Sequence, residues 1–164
     1  MRSLYLIRHA KSSWEHPGLR DFERPLNNRG LRDAPLMAAL MKNLGVVPDL
    51  LISSPARRAW STACIFAEAY GLPFSDIQQA PDLYECRPQD VLKVVSGLPE
   101  AARVVLLFGH NPALTEFANR FTDDPIDNIP TCGVVRIDSV APDWASFYDE
   151  NARVAQTWFP KTAI

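Results

Sequence analysis

The sequence lacks the features that would place it in a disulfide-rich or zinc-binding class. Only three of its 164 residues are cysteines, at Cys64, Cys86 and Cys132, and no two of them are close in the chain. An odd number of scattered cysteines fits neither a disulfide framework nor a zinc site. We therefore expect free thiols in a reducing compartment.

Long apolar runs and a charge excess are also missing. No segment approaches the roughly 20 consecutive apolar residues that a membrane-spanning helix needs. The apolar run at 4–7 is too short for the hydrophobic region of a signal peptide. The formal net charge of −2 does not show the basic excess that is typical of proteins binding nucleic acid or membrane surfaces. These features favour a cytoplasmic protein that binds neither.

The composition that remains is typical of a folded soluble protein, with 47% hydrophobic and 22% charged residues. The length matches one ordinary domain, and no linker, repeat or low-complexity tract divides the chain. We predict a single domain over residues 1–164, and a monomer by default.

The order of predicted elements indicates an α/β fold. Short apolar runs, typical of strands buried on both faces, lie at 4–7, 48–52 and 103–108. Helical patterns lie at 30–44, 55–70, 89–96 and 112–121. A weaker strand lies at 74–79, and further strands lie at 133–137, 144–147 and 153–159. We predict a three-layer α/β/α sandwich with a mostly parallel mixed sheet, to which the tail adds strands at one edge.

Two local expectations concern the helices. Pro35 is predicted in the first turn of its helix, where a proline costs no hydrogen bond. Ser54 is predicted to cap the helix that Pro55 starts.

Polar side chains follow three of the predicted strands: Arg8 and His9; Ser53 and Ser54 with Arg57 and Arg58; and His110 with Asn111. Ligands bind outside the carboxyl ends of strands in open α/β sheets, so these groups are expected to converge. Arginines, histidines and helix N-termini together suit an anion, most naturally a phosphate. No Walker loop is present and no Gly-x-Gly-x-x-Gly follows the first strand, which disfavours a nucleotide-binding domain.

Each of these groups also has an ordinary structural explanation. Both arginines could lie on a solvated helix face, and this is the stronger interpretation for Arg57. His110 could be a hydrogen-bonded histidine without a ligand. The site hypothesis therefore depends on all three segments lying at the same end of the sheet.

Three motifs resemble signatures of the histidine phosphatase (phosphoglycerate mutase-like) superfamily. The segment LIRHA at 6–10 resembles its Arg-His-Gly signature. The segment SSPARRAWSTA at 53–63 is similar to its second signature, an arginine before Ala-x-x-Thr, and this spacing selects Arg58. The segment FGHNP at 108–112 resembles the motif with its second histidine. RHAKS at 8–12, with RPL at 24–26 and RG at 29–30, is most similar to the SixA-like subgroup of phosphohistidine phosphatases.

The resemblance implies a metal-independent phosphatase without a cofactor. Neutral His9 would attack phosphorus and form a covalent phosphohistidine. Arg8, Arg58 and His110 would surround the phosphoryl oxygens, and Asn111 and Arg24 would add further contacts. The implied substrate is phosphohistidine in a protein, such as a histidine phosphotransfer domain, or a small phosphomonoester.

The sequence departs from the family pattern in two places. Ala10 replaces the signature glycine. Larger members use a glutamate after the third strand as general acid; Glu85 is the candidate here, and the alternative is a solvated loop residue. The chain is also too short for a substrate lid, which predicts an open, shallow pocket suited to a phosphorylated protein side chain.

Two other functions are compatible with a phosphate site. A mutase is disfavoured because it needs a closed site that excludes water. A catalytically silent phosphate-binding or regulatory module remains the alternative, although a binder has no need of a nucleophile such as His9.

Overall fold

A six-stranded mixed sheet forms the centre of the protein. The computed structural model describes all residues from Met1 to Ile164. The strands are β1 (Arg2–Arg8), β2 (Leu50–Ser53), β3 (Gln78–Gln79), β4 (Val104–Gly109), β5 (Val134–Ser139) and β6 (Ala152–Trp158). Their spatial order is β3-β2-β4-β1-β5-β6. The first four strands are parallel, whereas β5 and β6 run antiparallel to their neighbours. This confirms the predicted mostly parallel sheet with its tail at one edge.

Five helices accompany the sheet: α1 (Asn28–Asn43), α2 (Arg57–Ala69), α3 (Pro88–Ser96), α4 (Ala113–Ala118) and α5 (Pro160–Ala163). Short 3₁₀ turns lie at Asp21–Glu23, Phe74–Asp76, Pro81–Leu83 and Asn119–Phe121. No helix has both the length and the apolar character needed to cross a membrane.

The two faces of the sheet are buried by different helices. Along β1, Leu4 and Leu6 pack in a core with α3 and α4, whereas Tyr5 and Ile7 pack in a second core with α1 and α2. Successive side chains of a strand point to opposite faces, so a run that is apolar throughout must be covered on both sides. The predicted three-layer arrangement is thereby confirmed.

Helix α1 differs from its prediction in where it begins. The Asn27 side chain caps it by accepting a hydrogen bond from the Gly30 amide at 2.9 Å, and the helix starts at Asn28. Pro35 is therefore its eighth residue, so its predicted place in the first turn was wrong. Pro35 and Leu31 are both exposed. The Leu31 carbonyl, which has no intrahelical donor at position 35, is thus on the side of α1 that faces water.

Other predicted boundaries also moved. Helix α2 begins at Arg57, and the Ser54 hydroxyl accepts from the Ala56 amide at 3.2 Å without capping the helix. The weak strand at 74–79 is reduced to β3. Helix α5 was not predicted.

The predicted strand at 144–147 was wrong, because this segment is irregular. Trp144 and Phe147 are nevertheless almost fully buried. Phe147 packs against Phe117 and Phe121, and the Trp144 indole donates to the Ala102 carbonyl at 2.7 Å. The position beside β5 is occupied by β6. The apolar pattern correctly indicated burial, but burial here comes from an aromatic cluster.

We expect Gly30→Ala to destabilise the fold. A β-carbon there would clash with the Lys11 carbonyl oxygen, which is held by a 2.9 Å hydrogen bond from the Asn27 amide. Alanine is favoured over glycine inside a helix by about 1 kcal/mol, yet the clash should outweigh this and cost about 1–3 kcal/mol. Chemical denaturation measures the change. Gly18→Ala is the control, because nothing lies within 4 Å of its added carbon; equal or higher stability of Gly30→Ala would contradict the close approach.

Candidate active site

The carboxyl ends of β1, β4 and β2 bring three predicted segments together. Arg8 pairs with Gly109 in the parallel register of β1 and β4. The His9 amide donates to the Gly109 carbonyl at 3.1 Å, and the Ser54 amide donates to the Phe108 carbonyl at 3.0 Å. The rings of His9 and His110 consequently lie 5.2 Å apart between centroids.

The ring of His9 is oriented by the main chain. Its Nδ1 lies 2.8 Å from the Ala10 carbonyl oxygen. A carbonyl only accepts, so Nδ1 carries the proton and neutral His9 has its lone pair on Nε2. Ala10 is fully buried. It replaces the signature glycine without backbone strain, because its φ is not positive. The Ala10 amide donates to the Thr62 hydroxyl at 3.0 Å, which ties this turn to α2.

Both histidines are neutral near pH 7. Burial lowers the pKa of His9 to about 3, and the charges of Arg58 and Arg8 add to this effect, whereas the bond to Ala10 opposes it. Burial also lowers the pKa of His110 to about 4, again with a contribution from Arg58. Nε2 of His9 is therefore available as a nucleophile over a wide pH range.

Three buried nitrogens of this cluster have no hydrogen-bond partner: Nε of Arg8, Nε of Arg58 and Nδ1 of His110. Only two other buried side-chain polar atoms of the protein lack a partner, on Arg2 and Tyr70. An unpaired buried polar group costs about 1–3 kcal/mol. Three of them around one neutral histidine are typical of a site that pairs them with a ligand.

The remaining bonds of these side chains fix their positions. Arg8 donates from Nη1 to the Ile129 carbonyl at 2.9 Å. Arg58 donates from Nη1 to the Asp21 carbonyl at 2.8 Å and from Nη2 to the Asp21 carboxylate at 3.0 Å. Nε2 of His110 lies 2.8 Å from the Ser54 hydroxyl. When that hydroxyl donates, neutral His110 carries its proton on the unpaired Nδ1 and can donate it to an anion.

Arg24 and Asn111 lie beside the cluster, but their side chains donate hydrogen bonds to other groups of the protein. Nη1 of Arg24 donates to the Ser12 hydroxyl at 2.9 Å, and its guanidinium lies 3.6 Å from the ring centre of Trp14. Asn111 donates to the Ile129 carbonyl at 2.8 Å. Their predicted contacts with phosphate stay predictions.

Glu85 is exposed, has a φ of 51°, and forms no side-chain hydrogen bond with any residue of the cluster. Its role as a general acid stays a prediction. Arg57 is exposed, as expected for a residue on a solvated helix face, whereas Arg58 is buried. No three His, Cys, Asp or Glu side chains lie together as a candidate metal site.

Two residues of the site were missed by the sequence analysis. The Asp21 carboxylate accepts from Arg58, from Arg24 at 3.2 Å and from the Tyr84 hydroxyl at 2.8 Å. The Tyr84 ring lies 5.7 Å from that of His110 and 5.1 Å from that of Phe22. Nothing in its local sequence marks Tyr84 as a site residue. The only signal for Asp21 is that it directly precedes the segment FERPL at 22–26.

The two histidines of the site are almost fully buried. His9 and His110 are only 7% and 9% exposed, and Tyr84 covers part of His110 through the contact between their rings. The open, shallow pocket stays a prediction.

The comparisons with known proteins agree with this geometry. Residues 4–91, more than half of the chain, match the family model of the histidine phosphatase superfamily (branch 1). The chain belongs to this superfamily. The matched range contains Arg8, His9 and Arg58, while His110 lies beyond it.

Several relatives resemble the chain over most of its length. An uncharacterized chloroplastic protein of Arabidopsis thaliana is 29% identical over 152 residues, which are 87% of this chain and 69% of that protein. A crystal structure provisionally described as the phosphohistidine phosphatase SixA of Agrobacterium tumefaciens is 27% identical, with a TM-score of 0.80 over 96% of this chain and 97% of the other. A protein histidine phosphatase SixA complexed with tungstate is 21% identical, with a TM-score of 0.80 over 97% of both chains, and shows the same fold. The family and the likeness to the Agrobacterium tumefaciens structure support phosphatase activity.

We predict that His9 and His110 titrate only at acid pH, with midpoints at about 3 and about 4. Histidine side-chain ¹H–¹⁵N NMR against pH measures this, and should show His9 with its proton on Nδ1. His9→Asn and His110→Asn assign the signals. Midpoints near the ordinary value of about 6.5 would contradict the buried arrangement. Because the unfolded chain binds these protons first, the two histidines should also lower the free energy of unfolding as pH falls below about 6.5.

Proposed function

We propose that the protein removes the phosphoryl group from phosphohistidine in a protein, through a covalent intermediate on His9. A histidine phosphotransfer domain is the expected kind of partner, and a small phosphomonoester is the second candidate substrate. The observation that carries the proposal is the trio of unpaired buried nitrogens on Arg8, Arg58 and His110 beside the neutral ring of His9.

The first step is an in-line displacement at phosphorus. The lone pair on Nε2 of His9 forms the new P–N bond, while the bond from phosphorus to the leaving nitrogen or oxygen breaks and takes its electron pair along. The guanidinium groups of Arg8 and Arg58 neutralise charge on the phosphoryl oxygens in the transition state. They would thus supply the charge that a metal ion supplies in other phosphatases, so we propose a metal-independent reaction.

In the second step, water attacks phosphorus and the P–N bond to His9 breaks. The electron pair returns to Nε2, and the oxygen of water leaves with both of its protons as part of inorganic phosphate (H₂PO₄⁻). The bond from Nδ1 to the Ala10 carbonyl keeps Nε2 directed at phosphorus in both steps, so no rearrangement of His9 is needed between them.

The choice of phosphohistidine rests on the leaving group. A P–N bond to imidazole is labile, and its cleavage needs less help from an acid than the cleavage of an alkyl ester does. The exposed Glu85, which has no bond to the cluster, fits a reaction that does not depend on a general acid. The likeness to a described phosphohistidine phosphatase at 27% identity supports the same substrate class.

A catalytically silent phosphate-binding module is the second candidate. The unpaired nitrogens alone would serve a binder equally well. The feature that favours an enzyme is His9, whose depressed pKa and fixed tautomer produce a nucleophile that a binder has no reason to hold.

We expect wild-type protein to release phosphate quickly from a histidine-phosphorylated protein and slowly from a generic aryl phosphate, and His9→Ala to release none from either. The fold should survive, because His9 contributes little to the cores. Phosphate release is measured for both substrates, and trapping of a phosphoryl group on His9 is followed by acid-labile ³²P labelling.

Each alternative outcome has its own meaning. Full activity of His9→Ala would refute the mechanism. Faster hydrolysis of the aryl phosphate would favour a small-molecule phosphomonoesterase and a catalytic Glu85. If the wild type hydrolyses neither substrate but binds phosphate, the binding module is favoured.

Arg58 and Arg57 provide a matched pair of variants. Arg58→Ala removes a buried guanidinium from the site and should lower kcat by about 10² or more. Arg57→Ala removes an exposed neighbour in the same turn and should leave kcat within about twofold. Steady-state kinetics on the better of the two substrates tests both. Equal losses in the two variants would mean that Arg58 acts only through the general field of the helix terminus.

A further inference from the structure

The Asp21 carboxylate is held by three side chains. Its Oδ2 accepts from Nη2 of Arg58 at 3.0 Å and from the Tyr84 hydroxyl at 2.8 Å, and its Oδ1 accepts from Nε of Arg24 at 3.2 Å. Its main-chain carbonyl accepts from Nη1 of Arg58 at 2.8 Å. One residue outside the recognised motifs thereby binds both terminal nitrogens of the buried arginine.

The hydrogen bonds between Asp21 and Arg58 leave the arginine free to bind a phosphoryl group. A guanidinium has five N–H groups, and Asp21 uses one on each terminal nitrogen. Nε–H of Arg58 is buried and unpaired. The carboxylate therefore fixes the plane of the guanidinium without occupying its remaining donors.

The segment that carries Asp21 lies at the surface. The Asp21–Glu23 turn contains no buried residue, and besides the bonds of Asp21 it is held by the contact of Phe22 with Tyr84 and by the adjoining Arg24. Arg58, by contrast, is rooted in α2 and is 7% exposed. Asp21 thus couples a surface turn, Arg24 and Tyr84 to the arginine that lies beside His9.

We propose that Asp21 is the positioning residue of the phosphate-binding arginine: it orients Arg58 so that its free N–H edge meets the phosphoryl oxygens, and it sets affinity for phosphate through Arg58. This rests on the proposed function. An ordered arginine loses less side-chain entropy when it binds, and a planar guanidinium binds phosphate well only at the right angle. Asp21 acts through another residue and makes no contact with the reacting atoms.

Asp21 keeps its charge wherever the enzyme would work. Burial raises its pKa, but the hydrogen bonds from Tyr84 and Arg58 outweigh this and lower the pKa to about 2. The ion pair between the Asp21 carboxylate and Arg58 is therefore present above about pH 4 and is lost only as pH falls towards 2. It is a constant feature of the site and does not act as a switch in the physiological range.

A role of Asp21 as a competitor of phosphate predicts the opposite change in phosphate affinity. If Asp21 were an internal anion competing with phosphate for Arg58, its removal would strengthen phosphate binding. If it positions Arg58, its removal weakens binding. The sign of one measured change in affinity therefore separates the two roles.

The test compares Asp21→Asn with Glu23→Gln. Both variants remove one carboxylate charge from the same turn, but only the first replaces the charged acceptor of Nη2 of Arg58 with a neutral amide. The main-chain carbonyl that accepts from Nη1 is kept in both variants. Binding of inorganic phosphate is measured by titration calorimetry, and kcat and KM on the better substrate are measured in parallel. We expect Asp21→Asn to weaken phosphate binding and to lower kcat/KM about tenfold, and Glu23→Gln to change neither by more than about twofold.

A double-mutant cycle separates positioning from general stability. In an Arg58→Ala background, Asp21→Asn should cause no further loss of kcat/KM, since the residue it orients is gone. A purely structural role would lower activity again in that background. Tyr84→Phe, which removes only the hydroxyl bond to Asp21 and keeps the ring, should give a smaller loss than Asp21→Asn. Thermal denaturation of each variant shows whether it is folded.

Tighter phosphate binding by Asp21→Asn, unchanged binding, or an undiminished loss in the Arg58→Ala background would overturn the proposal. Phosphate binding does not require turnover. If the wild type hydrolyses neither substrate, the proposed function fails, while the calorimetry still decides the role of Asp21.

Discussion

The parallel pairing of β1 with β4 is the constraint on which the site depends. It sets His9 beside His110, because Arg8 lies opposite Gly109 and the His9 amide bonds to the Gly109 carbonyl. A slip of one residue would turn each β1 side chain to the other face of the sheet, removing Leu4 and Ile7 from their separate cores. The packing energy of the two cores therefore also fixes the position of the nucleophile.

Burial sets the protonation states of the cluster, and it lowers the free energy of unfolding. Removing His9 and His110 from water lowers their pKa values and keeps both rings neutral. Removing Arg8 and Arg58 from water leaves two cations close together, and burial followed by the charge of Arg58 lowers the pKa of Arg8. Asp21 offsets part of this charge. The remaining positive charge and unpaired nitrogens are best satisfied by an anion, which supports a phosphoryl substrate.

The sequence predicted the parts of the site that follow from local pattern. His9, Arg58 and His110 each directly follow or closely follow a buried strand, so the sheet topology alone indicates that they meet. Asp21 could not be found in this way, because its partners Arg58 and Tyr84 lie 37 and 63 residues away, and neither Asp21 nor Tyr84 lies on a strand or α-helix whose periodicity would place it. Pattern failed for Trp144 for a related reason: large apolar residues indicate that a segment is buried, but they do not indicate whether strands or an aromatic cluster buries it.

The charge of the site extends from the surface to the buried histidines. The Asp21 side chain is 49% exposed, whereas that of Arg58, to which it bonds, is 9% exposed. His9 and His110 are only 7% and 9% exposed. A phosphoryl group held by Arg58 beside His9 would therefore be largely removed from water, where positive charge stabilises it more strongly. Under the proposed function the bond that breaks is the labile P–N bond of phosphohistidine, so this buried charge can supply most of the catalysis and a general acid becomes dispensable.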